Sequence, residues 1–234
     1  MKNDARILVL DAYTSNVPLL LMNRKGFTVI ETTNEFIKKA LTLPFDYIVI
    51  QNKSLSGDVL RNFPELAEHL NPVANNGRIG LYNYTEKNSK KSWLELLLPV
   101  NEQHKTNSII DTTVHCIGSQ EDFYPIKDTT IQETDQALTA VLFQAQAYAK
   151  NEKIEGLNLV IDAKNANGFS FYDSYSLSIF FEKSVNQTVM SVFFQLPQGF
   201  PAGTRVKVYI WNPVKNEVCF QNQAVLFTKY SLHI

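Results

Sequence analysis

In the stretch VKVYIWNP, residues 206–213, aliphatic side chains alternate with charged or aromatic ones. Val208 and Ile210 have one parity, and Tyr209 and Trp211 have the other. Because successive side chains of a strand point to opposite faces, the stretch predicts a strand with one face in a core and the other facing outward. The following Asn and Pro are typical of a turn that ends such a strand.

The same alternation extends through the second half of the chain. Leu157, Leu159 and Ile161 interleave with Asn158 and Asp162. Residues 138–148 are rich in alanine, yet their apolar residues alternate with glutamines, which favours a strand. Turn signals separate these stretches at residues 167–168, 197–199 and 212–213. Short strands at this spacing predict an antiparallel β-sandwich, jelly-roll-like, over residues 108–234.

The first half has a different pattern, in which short apolar runs are separated by amphipathic stretches. The run RILVL at 6–10 is typical of a buried parallel strand. Gly26 is expected to end the first helix with a positive φ, and Asn34 to cap the second. Further strands are expected at 27–30, 47–50 and 78–82, with a broken helix at 59–70. The alternation predicts a small parallel α/β domain, Rossmann/flavodoxin-like, over residues 1–100, joined to the second domain by the polar stretch 99–108.

The charge balance limits the classes of partner. There are 22 Lys and Arg against 23 Asp and Glu, so no overall field draws the chain to nucleic acid or to an anionic membrane surface. No apolar run approaches the roughly 18 residues of a membrane span. The chain is therefore expected to contain no membrane span, although a tether to an upstream membrane domain is compatible with the sequence.

Cys116 and Cys219 both lie in the β-rich half. No Cys or His spacing matches a zinc site, and no metal site is predicted. Two inert thiols are one interpretation. The other is a single disulfide between an early and a late strand, formed in an oxidising compartment.

A parallel sheet binds ligands beyond the carboxyl ends of its strands, which here places Asp11, Glu31 and Asn52 around a candidate strand-end pocket. The residue types argue against a cofactor. Residues 11–16 contain no glycine, so the loop lacks the close backbone approach that a dinucleotide or a methyl donor requires. The four histidines show no nucleophile or carboxylate pattern, and no catalytic residue is predicted.

Residues 6–57 resemble a phosphorelay receiver domain, through RILVLD, GFTVIETTNEFIKKAL and FDYIVIQNKSLSG at about the right spacing. Phosphoryl transfer to an aspartate requires an acidic cluster around a divalent cation. Here Ala12 occupies one acidic position, Gln51 or Asn52 replaces the acceptor, and Leu98 precedes Pro99 where the family has a lysine. The resemblance implies a degenerate receiver that does not accept phosphate.

A second resemblance covers residues 6–85. DAYTSNVPLLLMNRKGFTVI followed by PFDYIVIQN is similar to the soluble C-terminal part of membrane-bound lipid-phosphate-sugar glycosyltransferases, in which an RKG motif follows an apolar helix. The catalytic acids of that family lie in its membrane domain. The resemblance therefore implies an extracytoplasmic accessory region without transferase activity.

In the second half, Pro201–Arg205, VKVYIWNP and the strand expected at 223–227 resemble carbohydrate-binding-module-like jelly rolls. Such modules stack exposed aromatic rings on sugars. The resemblance implies sugar-binding roles for four aromatic residues: Tyr172, Tyr175, Tyr209 and Trp211. Core packing is the alternative for Trp211. Gln221-Asn222 stands where related strands often carry an Asp pair, so no metal-supported binding is implied.

The leading hypothesis is a non-catalytic, extracytoplasmic accessory region of a cell-envelope protein, with a glycan or an envelope protein as partner. The alternative is a cytoplasmic signalling or scaffold protein with a degenerate receiver-like domain and free thiols. A methyl-donor enzyme with an atypical first loop is a third possibility.

Overall fold

The computed structural model describes residues 4–12, 14–86, 93–98, 104–131, 138–150, 153–181, 187–196 and 201–230. The chain forms two compact units, divided between residues 102 and 103. Unit 1 contains the described residues up to 98, and unit 2 contains those from 104 onward. Of the predicted linker, residues 99–103 lie outside the described residues, and the strand that begins at His104 occupies the rest.

Unit 1 contains five strands and several short helices. The strands are β1 Ile7–Leu10, β2 Gly26–Val29, β3 Tyr47–Gln51, β4 Leu70–Asn75 and β5 Ile79–Tyr84. The helices are α1 Val17–Leu21, α2 Asn34–Leu41, α3 Asn52–Ser54, a π-helical turn Leu55–Val59, α4 Leu60–Asn62, a 3-10 turn Pro64–Glu68 and α5 Trp93–Leu97. The sheet has the order β2-β1-β3-β5-β4. Strand β1 is buried along its whole length, as its apolar sequence requires.

The predicted fold class is wrong, because unit 1 is not a parallel Rossmann/flavodoxin-like domain. Parallel pairing is limited to β1 with β2 and β3, whereas β5 runs antiparallel to β3 and β4 antiparallel to β5. Helix α4 ends at Asn62, Pro64 begins a 3-10 turn that runs to Glu68, and the chain then extends into β4 from Leu70. Gly77, with φ 82°, then reverses the chain into β5.

Two local predictions in unit 1 are also wrong. Helix α1 ends before Gly26, and Asn23 takes the left-handed conformation with φ 50°. Gly26 lies in β2 opposite Ile7, where a Cβ atom would stand 1.8 Å from the Ile7 carbonyl oxygen. That glycine is needed for close approach between strands. Thr33, not Asn34, caps α2, since its hydroxyl accepts the Phe36 N–H at 3.2 Å.

Unit 2 is an antiparallel β-sandwich. Its strands are β6 His104–Asp111, β7 His115–Ile117, β8 Phe123–Ile131, β9 Leu138–Ala149, β10 Asn158–Lys164, β11 Ser170–Ser176, β12 Gln187–Gln195, β13 Thr204–Trp211 and β14 Val218–Tyr230. One sheet has the order β11-β10-β13-β8, and the other has the order β12-β9-β14-β6, with β7 also paired to β14. Residues 138–149 form a strand, as predicted, and the predicted turn at 197–199 lies outside the described residues.

The connections of unit 2 follow the jelly-roll arrangement. The chain crosses between the two sheets from β8 to β9 and from β9 to β10, makes a hairpin from β10 to β11, and crosses again at each later step. The inward side chains of both sheets form one apolar core. In β13, Val206, Val208 and Ile210 supply that core, so the alternation of VKVYIWNP has the predicted orientation.

Cys116 and Cys219 form a disulfide that joins β7 to β14 across directly paired positions. The structure agrees with the second interpretation of the cysteines, a disulfide between an early and a late strand. None of the helices in the part of the chain that is described is long and apolar enough to cross a membrane.

Candidate functional site

Three of the predicted aromatic residues lie on the outer face of the β11-β10-β13-β8 sheet. Tyr209 and Trp211 pair with Val160 and Asn158 of β10, and Tyr172 pairs with Asp162 of the same strand. Directly paired residues in an antiparallel sheet share a face, and Asn158, Val160 and Asp162 share a parity. Tyr172, Tyr209 and Trp211 therefore belong to one surface.

The rings on this surface are accessible. The exposed fraction is 56% for Tyr172 and 38% for Trp211, so Trp211 is not a core residue. Strand β8 adds Phe123, which pairs with Trp211, is 58% exposed and contacts Tyr209 edge to face at a centroid distance of 5.8 Å. Such an exposed cluster offers flat apolar faces to a ligand, which isolated surface aromatics do not.

Phe123 was not predicted as a site residue. It follows a short, polar loop, and no periodicity links it to β13. Its role depends on the pairing of β8 with β13, which is a long-range contact. The one signal in the sequence is an aromatic residue next to a polar loop. That signal does not distinguish a residue at the end of a strand from a residue of a binding site.

The fourth predicted residue, Tyr175, lies elsewhere. It pairs with the fully buried Leu159, packs against the core and contacts Phe180 at a ring-centroid distance of 6.3 Å. Tyr172 and Tyr175 are three positions apart, an odd number, so a regular strand places them on opposite faces. Tyr175 therefore has a packing role, and strand parity alone could have separated the two tyrosines.

A groove of about 370 Å³ runs along this outer face. Its lining combines rings, a proline and charged side chains: Phe123, Pro125, Lys127, Asp128, Asp162, Lys207, Val208 and Tyr209. Val160 lies on the same face but is 0% exposed, so neighbouring side chains of the face close over it. Burial is also the main cause that raises the pKa of Tyr209, and electrostatic interactions with Tyr172 and Asp162 add to it.

The two carboxylates of the groove differ in how many of their oxygens accept a hydrogen bond. Asp128 accepts two hydrogen bonds from the Arg205 guanidinium, one of them at 2.6 Å from Nε, and these hold its pKa below the usual value. Asp162 accepts the Lys164 ammonium at 3.0 Å through Oδ2. Its other oxygen, Oδ1, is shielded from solvent and has no donor among the described residues. Oδ1 is thus a buried acceptor that the described residues leave unsatisfied, and its lack of exposed surface keeps it out of reach of a ligand in the groove.

The three residues of the predicted strand-end pocket in unit 1 differ in their exposure to solvent. Asp11 is half-buried with φ 58°, and Glu31 is exposed. Asn52 is only 1% exposed, because it is covered by the end of α5. The three residues thus have three different environments, and a ligand cannot reach Asn52 from solvent.

Asn52 belongs to a buried hydrogen-bond network. Its amide and that of Asn75 bond each other at 3.0 Å in both directions. Their amide nitrogens also donate to the carbonyls of Leu97 and Leu96, at 2.7 and 3.0 Å. Tyr82 donates to Leu96 at 2.7 Å, and its burial raises the pKa of its hydroxyl. The network fixes α5, whose last carbonyls have no intrahelical donors.

One polar cluster was missed, around the turn between β6 and β7. The His115 Nε2 atom lies 2.8 Å from Asp111 Oδ2 and 2.5 Å from Thr113 Oγ1, and the Thr113 hydroxyl donates to Asp111 Oδ1 at 2.6 Å. The Thr113 hydroxyl is the main cause that lowers the pKa of Asp111 to about 2. A catalytic triad uses both ring nitrogens of its histidine, one for the nucleophile and one for the acid. Here both partners meet the same nitrogen, so the cluster is not a triad.

Metal-binding geometry is likewise missing from the described ranges, in which no three His, Cys, Asp or Glu side chains are grouped to hold an ion.

Comparisons with known proteins give only distant structural likenesses. No family model matches the chain, and no curated protein matches it. The chain is similar to dimeric latent PorU from Porphyromonas gingivalis, with 12% identity and a TM-score of 0.37 over 57% of this chain and 13% of that structure. It thus spans a small part of that protein.

Two further structures match almost over their whole length. The globular domain of zebrafish complement 1qA has 14% identity and a TM-score of 0.31, over 53% of this chain and 94% of that domain. The CBM22-1 xylan-binding domain from Paenibacillus barcinonensis Xyn10C has 10% identity and a TM-score of 0.26, over 51% of this chain and 95% of that domain. Likeness at these levels says nothing about a shared ligand.

Proposed function

We propose that this protein is a non-catalytic accessory module that binds a glycan on the outer face of the β11-β10-β13-β8 sheet. The observation that carries the proposal is the aromatic cluster of Phe123, Tyr172, Tyr209 and Trp211 on this outer face, beside a groove lined by charged side chains. A sugar presents both an apolar C–H face and a ring of hydroxyls, and this surface has partners for both.

The strands give the site its rigidity. Tyr209 and Trp211 lie on β13, a central strand paired on both sides by β10 and β8. Their opposite neighbours, Val208 and Ile210, are buried in the core. A platform fixed in this way loses little conformational entropy when a ligand binds, which favours affinity for a weakly apolar ligand.

The proposed location is extracytoplasmic, in the cell envelope. The Cys116–Cys219 disulfide supports it, because disulfides persist mainly in oxidising compartments. The resemblance of residues 6–85 to the soluble part of lipid-phosphate-sugar glycosyltransferases points to the same place and to an envelope partner. The cytoplasmic scaffold alternative expects free thiols, which the structure does not have.

A binding experiment with matched variants tests the proposal. We expect saturable binding to at least one envelope-type polysaccharide on a glycan array, followed by calorimetry on the full chain. Tyr209→Ala and Trp211→Ala should each lower the affinity roughly tenfold, the loss expected for one stacked ring. Phe36→Ala removes another exposed ring, on α2 of unit 1, and should leave the affinity unchanged.

Either of two results would overturn the proposal. One is the absence of saturable binding to any glycan on the array. The other is binding that Tyr209→Ala and Trp211→Ala reduce no more than Phe36→Ala does, since the glycan would then occupy a different surface.

A further inference from the structure

We infer that the Cys116–Cys219 disulfide is a site of thiol–disulfide exchange on the folded protein, where a low-molecular-weight thiol attacks the Cys116 sulfur and releases β7 from β14. This inference goes beyond the proposed function and does not depend on glycan binding. It rests on where the bond lies, because cysteine sulfurs react only where a thiolate can reach them.

Both cysteines lie on the outer face of the β12-β9-β14-β6 sheet. Their neighbours Ile117 and Val218 are each 1% exposed and belong to the core of the sandwich. Since side chains alternate along a strand, Cys116 and Cys219 point away from that core. Cys116 is exposed and Cys219 is half-buried, so the bond is open to solvent mainly from the Cys116 side.

The bond also borders a surface cavity of about 530 Å³, which both cysteines line. The rest of the lining comes from residues 117–121 and from Lys150, Glu217 and Val218. Cavities of about 300 to 1,000 Å³ hold small organic ligands. A small thiol therefore fits beside the disulfide.

Strand β7 is the element that the bond holds in place. It is three residues long and, among the described strands, pairs with β14 alone. The same stretch of β14 pairs with β9 on its other side, so β14 stays in the sheet when the bond breaks. The release ends before β8, because Asn212 donates its backbone N–H to the Asp122 carbonyl at 2.7 Å and its side-chain amide to the Glu121 carbonyl at 3.3 Å.

The exchange is a reduction in two steps. An external thiolate forms a bond with the Cys116 sulfur, the Cys116–Cys219 bond breaks, and Cys219 leaves as a thiolate that takes a proton from water. A second external thiolate attacks the external sulfur of this mixed disulfide, and Cys116 leaves as a thiolate. The protein gains two electrons, and the two external thiols are oxidised to one disulfide. Access selects Cys116 as the sulfur attacked, since it is the more exposed of the two.

Incubation of the oxidised full chain with glutathione in native buffer, followed by rapid alkylation and mass spectrometry, tests this inference. We expect the first product to carry glutathione on Cys116 and an alkylated thiol on Cys219. Tyr175→Ala weakens the core of the sandwich in the opposite sheet and should change the rate by less than about twofold. A reduction that required unfolding of unit 2 would instead become at least about tenfold faster in this variant.

Two exposed positions give a matched pair of variants. Ser119→Trp places a ring in the cavity beside the disulfide and should slow the exchange several-fold. Ala166→Trp places the same ring on the turn between β10 and β11 and should leave the rate unchanged. After full reduction, hydrogen exchange should show that the amides of β7 lose their protection while those of β10 keep theirs.

Each part of the inference has a result that overturns it. A tenfold faster reduction of Tyr175→Ala would show that the bond opens only when the sandwich unfolds. Glutathione on Cys219, or equal rates for the two tryptophan variants, would overturn attack at Cys116 from the cavity. Persistent protection of β7 in the reduced protein, or loss of protection in β10, would overturn the local release of β7. None of these results bears on glycan binding, which the array tests separately.

Discussion

The groove of unit 2 and the strand ends of unit 1 both carry polar side chains where proteins commonly bind ligands, but these side chains differ in what they already contact. Asn52 uses its amide nitrogen and oxygen within the fold and is closed off by α5. Asp162 has one oxygen bonded and one without a donor among the described residues. Asn52 therefore has a structural role, whereas Asp162 has one oxygen bonded to Lys164 and keeps the other unsatisfied beneath the surface.

The aromatic residues of the two regions differ in the same way. Tyr82 is fully buried and donates its hydroxyl to Leu96, while Tyr172 and Trp211 present their rings to solvent. Large apolar surfaces left exposed in a cluster are the ones that call for a functional explanation. The comparison supports the proposed role of this face of unit 2 in recognition and gives Tyr82 of unit 1 a packing role.

The largest expected effect is a loss of stability of unit 2 that unit 1 does not share. The Cys116–Cys219 disulfide closes a loop with a sequence separation of 103 residues, so replacing both cysteines by alanine should lower the free energy of unfolding of unit 2 by about 4 to 5 kcal/mol. Hydrogen exchange followed by mass spectrometry should show faster exchange in β9 and β14 and unchanged exchange in β1 and β3.

Reduction of the unmodified protein provides the control, because it opens the same loop without changing side-chain volume. A reduced protein as stable as the oxidised one would contradict a stabilising role for the disulfide. It would also remove the structural support for an oxidising compartment.

The next largest effect concerns the buried network of unit 1. Asn52→Ala should destabilise unit 1 by about 3 kcal/mol, because Asn75 and the Leu97 carbonyl lose partners in a buried site. Denaturant unfolding measures this change. Glu31→Ala, at another strand end but exposed, should change stability by less than about 0.5 kcal/mol. Comparable effects of the two variants would mean that Asn52 is not held as the structure shows.

The difference between the two regions also explains which sequence inferences succeeded. The orientation of Tyr209 and Trp211 follows from parity within one strand, which is local information. The burial of Asn52 depends on α5, whose Leu97 is 45 residues further along the chain, and no local pattern contains that contact. The antiparallel direction of β5 likewise follows from its hairpin with β4, a pairing of two segments that the pattern of either one alone does not contain.

Two tyrosines of β11 provide a matched pair that tests the parity argument. Tyr175→Ala should destabilise unit 2 by about 2 kcal/mol, because the ring is partly buried against the core, and should leave glycan affinity unchanged. Tyr172→Ala should change stability by less than about 1 kcal/mol and should lower the affinity several-fold. Thermal unfolding and calorimetry on both variants separate the two effects. If Tyr175→Ala lowered the glycan affinity and Tyr172→Ala lowered only the stability, the outer face would not be the binding surface.

The smallest expected effect compares two carboxylates of unit 2 whose pKa values are lowered by different donors. The Arg205 guanidinium acts on Asp128, whereas the Thr113 hydroxyl is the main cause that brings the pKa of Asp111 to about 2. An aspartate in an unfolded chain has a pKa of about 3.9. Asp111 therefore stabilises the folded state above that pH, and this stabilisation is lost as the pH falls through about 2.

Carboxyl carbon chemical shifts, followed by NMR between pH 1 and pH 6, measure both values. Thr113→Val keeps the side-chain shape but removes the hydroxyl, so it should raise the pKa of Asp111 more than His115→Ala does, and it should leave Asp128 unchanged. Arg205→Gln should have the converse effect on the two carboxylates. A larger rise with His115→Ala would mean that the imidazole, rather than the hydroxyl, holds Asp111 ionised.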